Sequence, residues 1–203
     1  MAVPQPQEMG CKLEGAKSMT ISVDSTRVVC PLFQTEDGGS IPASTLQLIF
    51  EPCPRKYAAL LNQQWHSRLP RVEWQNMTFA FHARYGDVSY AVALWSNPVA
   101  RLLPQKWIEL RRMACSPEMP RNGASAFLAW MVRWFRKNHR DRERLISYQD
   151  TEVHSGTIYK AQGWVVGNIG RTGDSWKRVN RDRPMLNGVE TIASAKIRWE
   201  KSL

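Results

Sequence analysis

The clearest structural signal in the chain is a strand, a loop and a helix over residues 107–139, WIELRRMACSPEMPRNGASAFLAWMVRWFRKNH. The composition of residues 107–117 predicts a strand, and the apolar residues of 126–139 recur at the spacing of an amphipathic helix. Residues 120–125, PRNGAS, are rich in turn formers and predict the loop between them.

This loop predicts a cradle for phosphate. Small side chains let backbone N–H groups approach a ligand closely, and the N-terminus of the following helix adds partial positive charge. Arg121 can add a charge-assisted hydrogen bond. The cradle would consist of Arg121, Asn122, Gly123, Ala124 and Ser125. The alternative is an ordinary loop in which Asn122 or Ser125 only caps the helix.

A second strand and helix follow along the chain. Residues 144–150, RLISYQD, predict a buried strand, and 151–164 predict a loop and a short helix that ends at Gly163. Ligands of open α/β sheets bind at the carboxyl ends of strands. Asp150 could therefore act as a general base and Tyr159 as a general acid. The alternative is that Asp150 caps the next helix and that Tyr159 is half-buried on it.

The remaining periodicity completes an α/β (α+β) pattern. Apolar spacing predicts an amphipathic helix over 54–70, and two β-rich runs, 77–83 and 88–95, predict a hairpin around a Gly-Asp turn. A short strand is expected at 165–168. The alternation of helices with strands predicts helices layered on a sheet.

The chain divides into three parts. Residues 1–18 are rich in Pro, Gln and Gly and predict a flexible tail. Residues 19–170 carry the predicted domain, with an N-terminal extension before a core at about 55–170. Residues 171–203 predict a basic C-terminal extension containing Trp and Arg. The role of the first 50 residues stays open between an extra strand layer and a dimerisation element.

The composition limits the classes of protein that the chain can represent. Its 203 residues, 43% of them hydrophobic, can build the core of one domain, which excludes disorder of the whole chain. The chain contains no run of 18 apolar residues, so no membrane span is predicted. The first 15 residues lack the pattern of a secretory signal. Lys and Arg outnumber Asp and Glu by 28 to 18, giving a net charge of +10. This excess suits an anionic partner, or serves solubility alone.

Neither the cysteines nor the histidines predict a metal site. No two cysteines form a C-x-x-C pair, so free thiols in a reducing cytoplasm are expected for Cys11, Cys30, Cys53 and Cys115. His66 could be a general base or a metal ligand, or it could pack against the hairpin. A single histidine without a carboxylate partner in the sequence argues against metal binding.

Basic residues form two clusters. The first lies on the long helix and its exit, where a solvated helix face explains it equally well: Arg133, Arg136, Lys137, Arg140, Arg142 and Arg144. The second combines an aromatic residue with cations, which suits a phosphate backbone and a stacked or flipped base. Its predicted nucleic-acid-binding residues are Arg171, Trp176, Lys177, Arg178, Arg181 and Arg183.

Taken together, the two strand–helix segments resemble the GNAT superfamily of acyl-CoA N-acyltransferases. That fold has a pyrophosphate-binding loop of the type R/Q-x-x-G-x-G/A and a later helix with Y-x-x-x-G-F. Tyr159–Trp164 fits the second motif with Trp in place of Phe, and in Arg121–Ala126 the Gly comes one residue early. The resemblance implies a mixed, mostly antiparallel central sheet with splayed strands flanked by helices. It also implies that acetyl-CoA or another acyl-CoA binds at the cradle, Met113 and Cys115.

Within this superfamily the chain is more closely similar to the phage Mom-type DNA-modification proteins and their relatives. The similarity covers about residues 55–170. It rests on Asn62–Arg68, Ser96–Arg101, Glu109–Met113, Arg121–Ser125 and Ser147–Asp150.

This second resemblance implies transfer of an acyl-type group to an exocyclic amine, which in Mom-type proteins is the amino group of adenine in DNA. The serine, aspartate and tyrosine that such proteins need correspond to Ser125, Asp150 and Tyr159, and Tyr159 would protonate the departing thiolate. The strand arginine would be Arg111 or Arg112. Alternation along a strand sends these two to opposite faces, so only one is expected to line the cleft. Double-stranded DNA, a possible homodimer and the cytoplasm of a phage-infected host are the implied partners and location.

Two other functions stay open on the sequence. The same fold could acetylate a protein or a small amine, with no role for the basic surface. It could also be a non-catalytic nucleic-acid-binding protein that has kept the fold and lost the chemistry.

Overall fold

The computed structural model describes residues 41–170 and 196–203, which form a seven-stranded sheet with helices on both faces. The strands are β1 (Ile49–Pro52), β2 (Phe79–Tyr85), β3 (Val88–Ser96), β4 (Trp107–Cys115), β5 (Arg144–Asp150), β6 (Val165–Gly170) and β7 (Lys196–Ser202). The helices are α1 (Arg55–Trp65), α2 (Gly123–Asn138) and α3 (Thr157–Ala161), with short 3₁₀ turns at Thr45–Gln47 and Trp74–Asn76. None of these three helices combines the length and the apolarity that crossing a membrane requires.

The strands lie in the order β1-β2-β3-β4-β5-β7-β6. Neighbouring strands are antiparallel except β4 and β5, which are parallel and connected by α2 as the crossover. The predicted hairpin is β2–β3, and it turns at Gly86 with φ 55°, a conformation that glycine adopts without steric cost. The mixed, mostly antiparallel sheet flanked by helices that the sequence predicts is confirmed.

Each face of the sheet has its own hydrophobic core. On one face α2 buries Phe127 and Phe135, which share a helical stripe, and Tyr159 of α3 joins the same core. On the other face α1 buries Ala58 and Leu61 against β3 and β4. Side chains on the two faces are therefore separated by the sheet wherever its strands are paired.

The long helix begins three residues earlier than the sequence predicts. Asn122 has φ 64°, outside the helical region, and its carbonyl accepts the Ala126 N–H at 2.9 Å. Residues 123–125 form the first helical turn. The sequence predicts them as loop because small residues are compatible with a loop and with a helix start alike. The strand before it ends at Cys115, two residues earlier than predicted, where Ser116 begins a turn.

Residues 196–202, which the sequence assigns to the C-terminal extension over 171–203, belong to the sheet. Strand β7 lies between β5 and β6 and pairs with the whole of β5, from Arg144 opposite Ser202 to Asp150 opposite Lys196. Trp199 is buried in the core on the α2 face. The alternation of apolar and charged residues in 196–202, KIRWEKS, is the signal that would have found this strand.

The parallel pair of strands separates halfway along its length. Pairing between β4 and β5 runs from Trp107 opposite Arg144 to Leu110 opposite Ser147 and goes no further. Beyond that point β4 stays paired with β3, and β5 stays paired with β7. The two halves of the sheet thus enclose a wedge that opens after Leu110 and Ser147, which confirms the predicted splayed strands.

Candidate active site

Tyr159 lies at the closed end of the wedge. Its hydroxyl is 2.8 Å from the hydroxyl of Ser147, the last β5 residue paired with β4. The phenol ring stacks on Trp199, with ring centroids 5.5 Å apart and planes at 13°, and Trp164 packs on it edge-on. The chain returns to Trp164 through Gly163, which follows α3 and has φ 61°. The Y-x-x-x-G-W motif therefore fixes the position of the phenol.

The surroundings of Tyr159 keep it protonated. The residue is 8% exposed, and burial raises the pKa of its phenol, while the hydrogen bond with Ser147 lowers that pKa by a smaller amount. A neutral phenol at the point where two strands separate has the chemistry that a proton donor in the wedge would need.

Both strand arginines lie on the α1 face, which corrects the prediction that alternation separates them. In the register of β3 and β4, Leu94 is opposite Arg112 and Trp95 is opposite Leu110, so Arg111 is the extra residue of a β-bulge. The bulge resets the alternation, because Leu110 belongs to the α2 core while Ala114 belongs to the α1 core. Arg111 and Arg112 both line one cleft of about 410 Å³.

The two arginines differ in their partners. Arg111 donates to the carboxylate of Glu109 at 2.8 Å, and the other oxygen of this buried carboxylate accepts the Val99 N–H at 3.2 Å. Arg112 donates to the Arg111 carbonyl at 2.6 Å, and its buried Nε has no partner among the described residues. Burial lowers the pKa of Arg112, and the charge of Arg111 lowers it further.

Asp150 forms an ion pair. Its carboxylate accepts from Arg68, which follows α1, and from the Glu152 N–H at 3.1 Å. Arg68 also contacts the carboxylate of Glu152 at 3.2 Å. Because side chains alternate along β5, Asp150 points to the face opposite that of Ser147 and its partner Tyr159. The structure thus joins Asp150 to the exit of α1, a link that the sequence does not reveal across 82 residues.

His66 is neutral and accepts hydrogen bonds at Nδ1. Its Nδ1 faces the backbone N–H groups of Arg68, at 3.4 Å, and Leu69, at 3.2 Å, so the ring proton lies on Nε2. Burial lowers the pKa of His66 to about 4, and the nearby charges of Arg112 and His154 lower it as well. The nitrogen that a base or a metal ligand would use is thus occupied. Among residues 41–170 and 196–203, no three His, Cys, Asp or Glu side chains form a group suited to a metal ion.

The predicted cradle is the first turn of α2, on the face opposite α1. Helix geometry leaves the N–H groups of Ala124 and Ser125 without a backbone acceptor in the described chain. The hydroxyl of Ser125 donates to the Asn122 carbonyl at 2.9 Å, so it supports the turn. Gly123 is buried against Met119, whose side chain occupies the space that a Cβ would need. Arg121 is exposed beside this turn.

Met113 and Cys115 belong to the part of β4 that lies beyond the point where it separates from β5. Both pack against the core on the α2 face, the same side as the first turn of α2. Burial raises the pKa of the Cys115 thiol to about 12, so it is an uncharged thiol at neutral pH. These two side chains supply apolar surface near the wedge.

The predicted nucleic-acid-binding residues, Arg171, Trp176, Lys177, Arg178, Arg181 and Arg183, lie outside the described residues. In the first basic cluster, Arg136 donates to the Ser202 carbonyl at 2.9 Å, and Arg142 donates to the Gln105 carbonyl at 2.7 Å. Arg144 pairs with the buried carboxylate of Glu200 and covers the ring of Trp107 at 4.7 Å. At least half of this cluster therefore serves the fold.

The fold is that of the GNAT acetyltransferases. The ribosomal-protein-S18-alanine N-acetyltransferase of Escherichia coli matches with a TM-score of 0.53 and 14% identity, over 76% of this chain and 93% of that chain. An acetyltransferase of Bacillus subtilis in complex with CoA matches with a TM-score of 0.53 and 15% identity, over 77% and 99%. A GNAT-family acetyltransferase of Streptococcus pneumoniae matches with a TM-score of 0.52 and 13% identity, also over 77% and 99%.

Sequence comparison identifies the family. A search of curated protein sequences gave no match. The model of the Mom protein family matches residues 47–199, which include all seven strands in full or in part and every wedge residue described above. The chain therefore belongs to the Mom protein family.

Proposed function

We propose that this protein is an N-acyltransferase that uses an acyl-CoA donor and modifies the exocyclic amine of adenine in DNA. The observation that carries the proposal is the wedge between β4 and β5 with the protonated Tyr159 at its closed end. Family membership and the net charge of +10 support DNA as the substrate. A phage gene acting in the cytoplasm of its host is the matching origin.

The residues present fit an acyl-CoA donor. The unpaired N–H groups of Ala124 and Ser125 and the exposed Arg121 suit a pyrophosphate group. Met113 and Cys115 offer uncharged surface on the same face, toward the wedge. A bound acyl-CoA would supply an acyl group activated as a thioester.

The chain's own residues would then hold and donate the proton and orient the reacting groups. Tyr159 holds a proton on its hydroxyl oxygen at neutral pH, and the bond to Ser147 aims that oxygen at the wedge. The Nε2–H of His66 and the guanidinium of Arg112 are donors on the opposite face, suited to a carbonyl oxygen or an acceptor base. Because Arg68 occupies the carboxylate of Asp150, we assign Asp150 a positioning role through Arg68.

The direct test is mass spectrometry of nucleosides from the DNA of bacteria that express the protein. We expect a modified deoxyadenosine with the wild type, and its loss with Tyr159→Phe. The matched control is Tyr90→Phe, because Tyr90 is also buried, at 1% exposure, but lies on β3, which does not border β5. Equal yields from the two variants would contradict the role of Tyr159, and unmodified DNA with the wild type would contradict the DNA substrate.

The donor is tested separately by calorimetric titration with acetyl-CoA. Arg121→Gln should weaken binding roughly tenfold, since a charge-assisted hydrogen bond to phosphate is lost. Arg133→Gln removes an exposed charge from α2, away from its first turn, and serves as the control. An equal loss in both variants would indicate a general charge effect and contradict the cradle.

A further inference from the structure

A cleft of about 410 Å³ opens on the α1 face of the sheet, next to the wedge. One wall is the bulged part of β4 with Arg111 and Arg112, which directly follow the last residue paired with β5. The other wall is the segment after α1, which contributes Arg71 and Glu73. The cleft lies on the face opposite the first turn of α2, so a donor at that turn leaves it open.

The charge of the cleft calls for an anion. Its lining contains three arginines and one carboxylate, Glu73. Arg112 donates to the backbone carbonyl of Arg111, and its Nε is buried without a partner among the described residues. Arg112 is partly buried, and the nearby carboxylate of Glu109 is already paired with Arg111, so a phosphate oxygen would offset part of the desolvation cost of Arg112. Arginine also matches phosphate with two parallel hydrogen bonds.

The rest of the lining suits a flat heterocycle. Val72, Met77 and Val99 supply apolar surface, and Asn76 and Asn97 supply amide groups. The side-chain oxygen of Asn97 accepts from Arg142 at 3.2 Å, and its NH₂ group can still donate a hydrogen bond. Apolar surface with amide donors and acceptors is the combination that binds a base on its edge and its ring.

We infer that this cleft receives one extrahelical nucleotide of DNA, with its phosphate on Arg111, Arg112 and Arg71 and its base on the amide side. The inference rests on the proposed function and adds the location and the state of the acceptor. The amino group of a paired adenine is stacked inside the duplex, and enzymes that act on such atoms take the base out of the stack. From the cleft, a base would reach the wedge past Arg111, where β4 leaves β5.

The test is a titration of the protein with dAMP, followed through the ¹H–¹⁵N signal of the Arg112 Nε–H group. Deoxyadenosine and inorganic phosphate are the comparison probes. We expect dAMP to shift the signal and to bind about ten times more tightly than deoxyadenosine, because the phosphate adds charge-assisted bonds. Arg112→Gln should weaken dAMP binding by a similar factor, and Arg133→Gln on α2 should leave it unchanged.

If the melting temperature of Arg112→Gln shows loss of folding, Arg71→Gln takes its place, since Arg71 is exposed. Equal dAMP affinity in wild type and variant would overturn the site, and so would inorganic phosphate that binds as tightly as dAMP. Modified DNA without dAMP binding at Arg112 would overturn the nucleotide site alone. If dAMP binds through Arg112 but the DNA of the expressing cells stays unmodified, this nucleotide site is supported and the proposed activity is overturned.

Discussion

The hydrogen bond between Ser147 and Tyr159 should behave as a coupled buried pair. The two residues are 2% and 8% exposed, and their hydroxyl oxygens are 2.8 Å apart. Removing one hydroxyl leaves the other buried without that partner, which costs about 1–3 kcal/mol of unfolding free energy. Removing both loses the bond but leaves neither hydroxyl unpaired. We therefore expect Ser147→Ala with Tyr159→Phe to cost less than the sum of the single changes, by about 1 kcal/mol.

The measurement is urea unfolding followed by tryptophan fluorescence, which nine tryptophans make sensitive. The control combines Ser147→Ala with Tyr90→Phe, because Tyr90 lies on β3, two strands away from β5. That pair should be additive within about 0.5 kcal/mol. Additive costs for Ser147 and Tyr159 would refute the coupling, and with it the claim that Ser147 aims the phenol at the wedge.

The same variants separate orientation from proton donation. Ser147→Ala leaves the phenol in place without its partner, so the yield of modified nucleoside should fall only in part. Tyr159→Phe removes the proton donor and should abolish the yield. A larger loss from Ser147→Ala than from Tyr159→Phe would contradict this division of roles.

Three further predictions follow from the ion pairs and the pKa shifts. Exchanging the charges, Arg68→Asp with Asp150→Arg, should restore part of the nucleoside yield that either single change removes; no recovery in the double variant would mean that Asp150 acts as a base. The pKa of His66 is about 4 in the folded protein, below the ordinary 6.5, so the folded protein takes up this proton at a lower pH than the unfolded chain does. The contribution of His66 to stability is therefore complete above pH 6.5 and is lost as the pH falls toward 4. The NMR signals of the His66 ring should accordingly stay constant from pH 8 to about 5.5, and a midpoint near 6.5 would contradict its burial. The Cys115 thiol, with a pKa of about 12, should resist a thiol reagent at pH 7.5 in the folded protein and react after denaturation.

Local periodicity was sufficient to predict most of the elements that position the site. Strand β5 has the predicted limits, and the hairpin, β4 and α2 lie within a few residues of theirs. These segments are recognisable from their hydrophobic periodicity because each buries one face or both. Strand β7 is absent from the sequence prediction although residues 196–202 alternate as a strand would, and a short amphipathic strand does not reveal that its partners are β5 and β6.

The contacts of the site depend on register and on distance along the chain. The bulge at Arg111 is visible only in the pairing of β3 with β4, because the sequence of β4 alone fits regular alternation. The ion pair of Arg68 with Asp150 joins segments 82 residues apart. The motif Y-x-x-x-G-W identifies Tyr159, but its partner Ser147 follows from how α3 packs against β5.

The bulge and the separation of the strands are one structural event. Leu110 is the last β4 residue paired with β5, and the extra residue, Arg111, comes immediately after it. A bulge increases the local twist and bends the strand that carries it, so β4 turns away from β5 at the point where its pairing ends. The same extra residue puts both arginines on the α1 face, while Tyr159 remains on the α2 face. Paired strands would keep these two faces apart, so only beyond Leu110 can a group bound on one face meet a proton donor on the other.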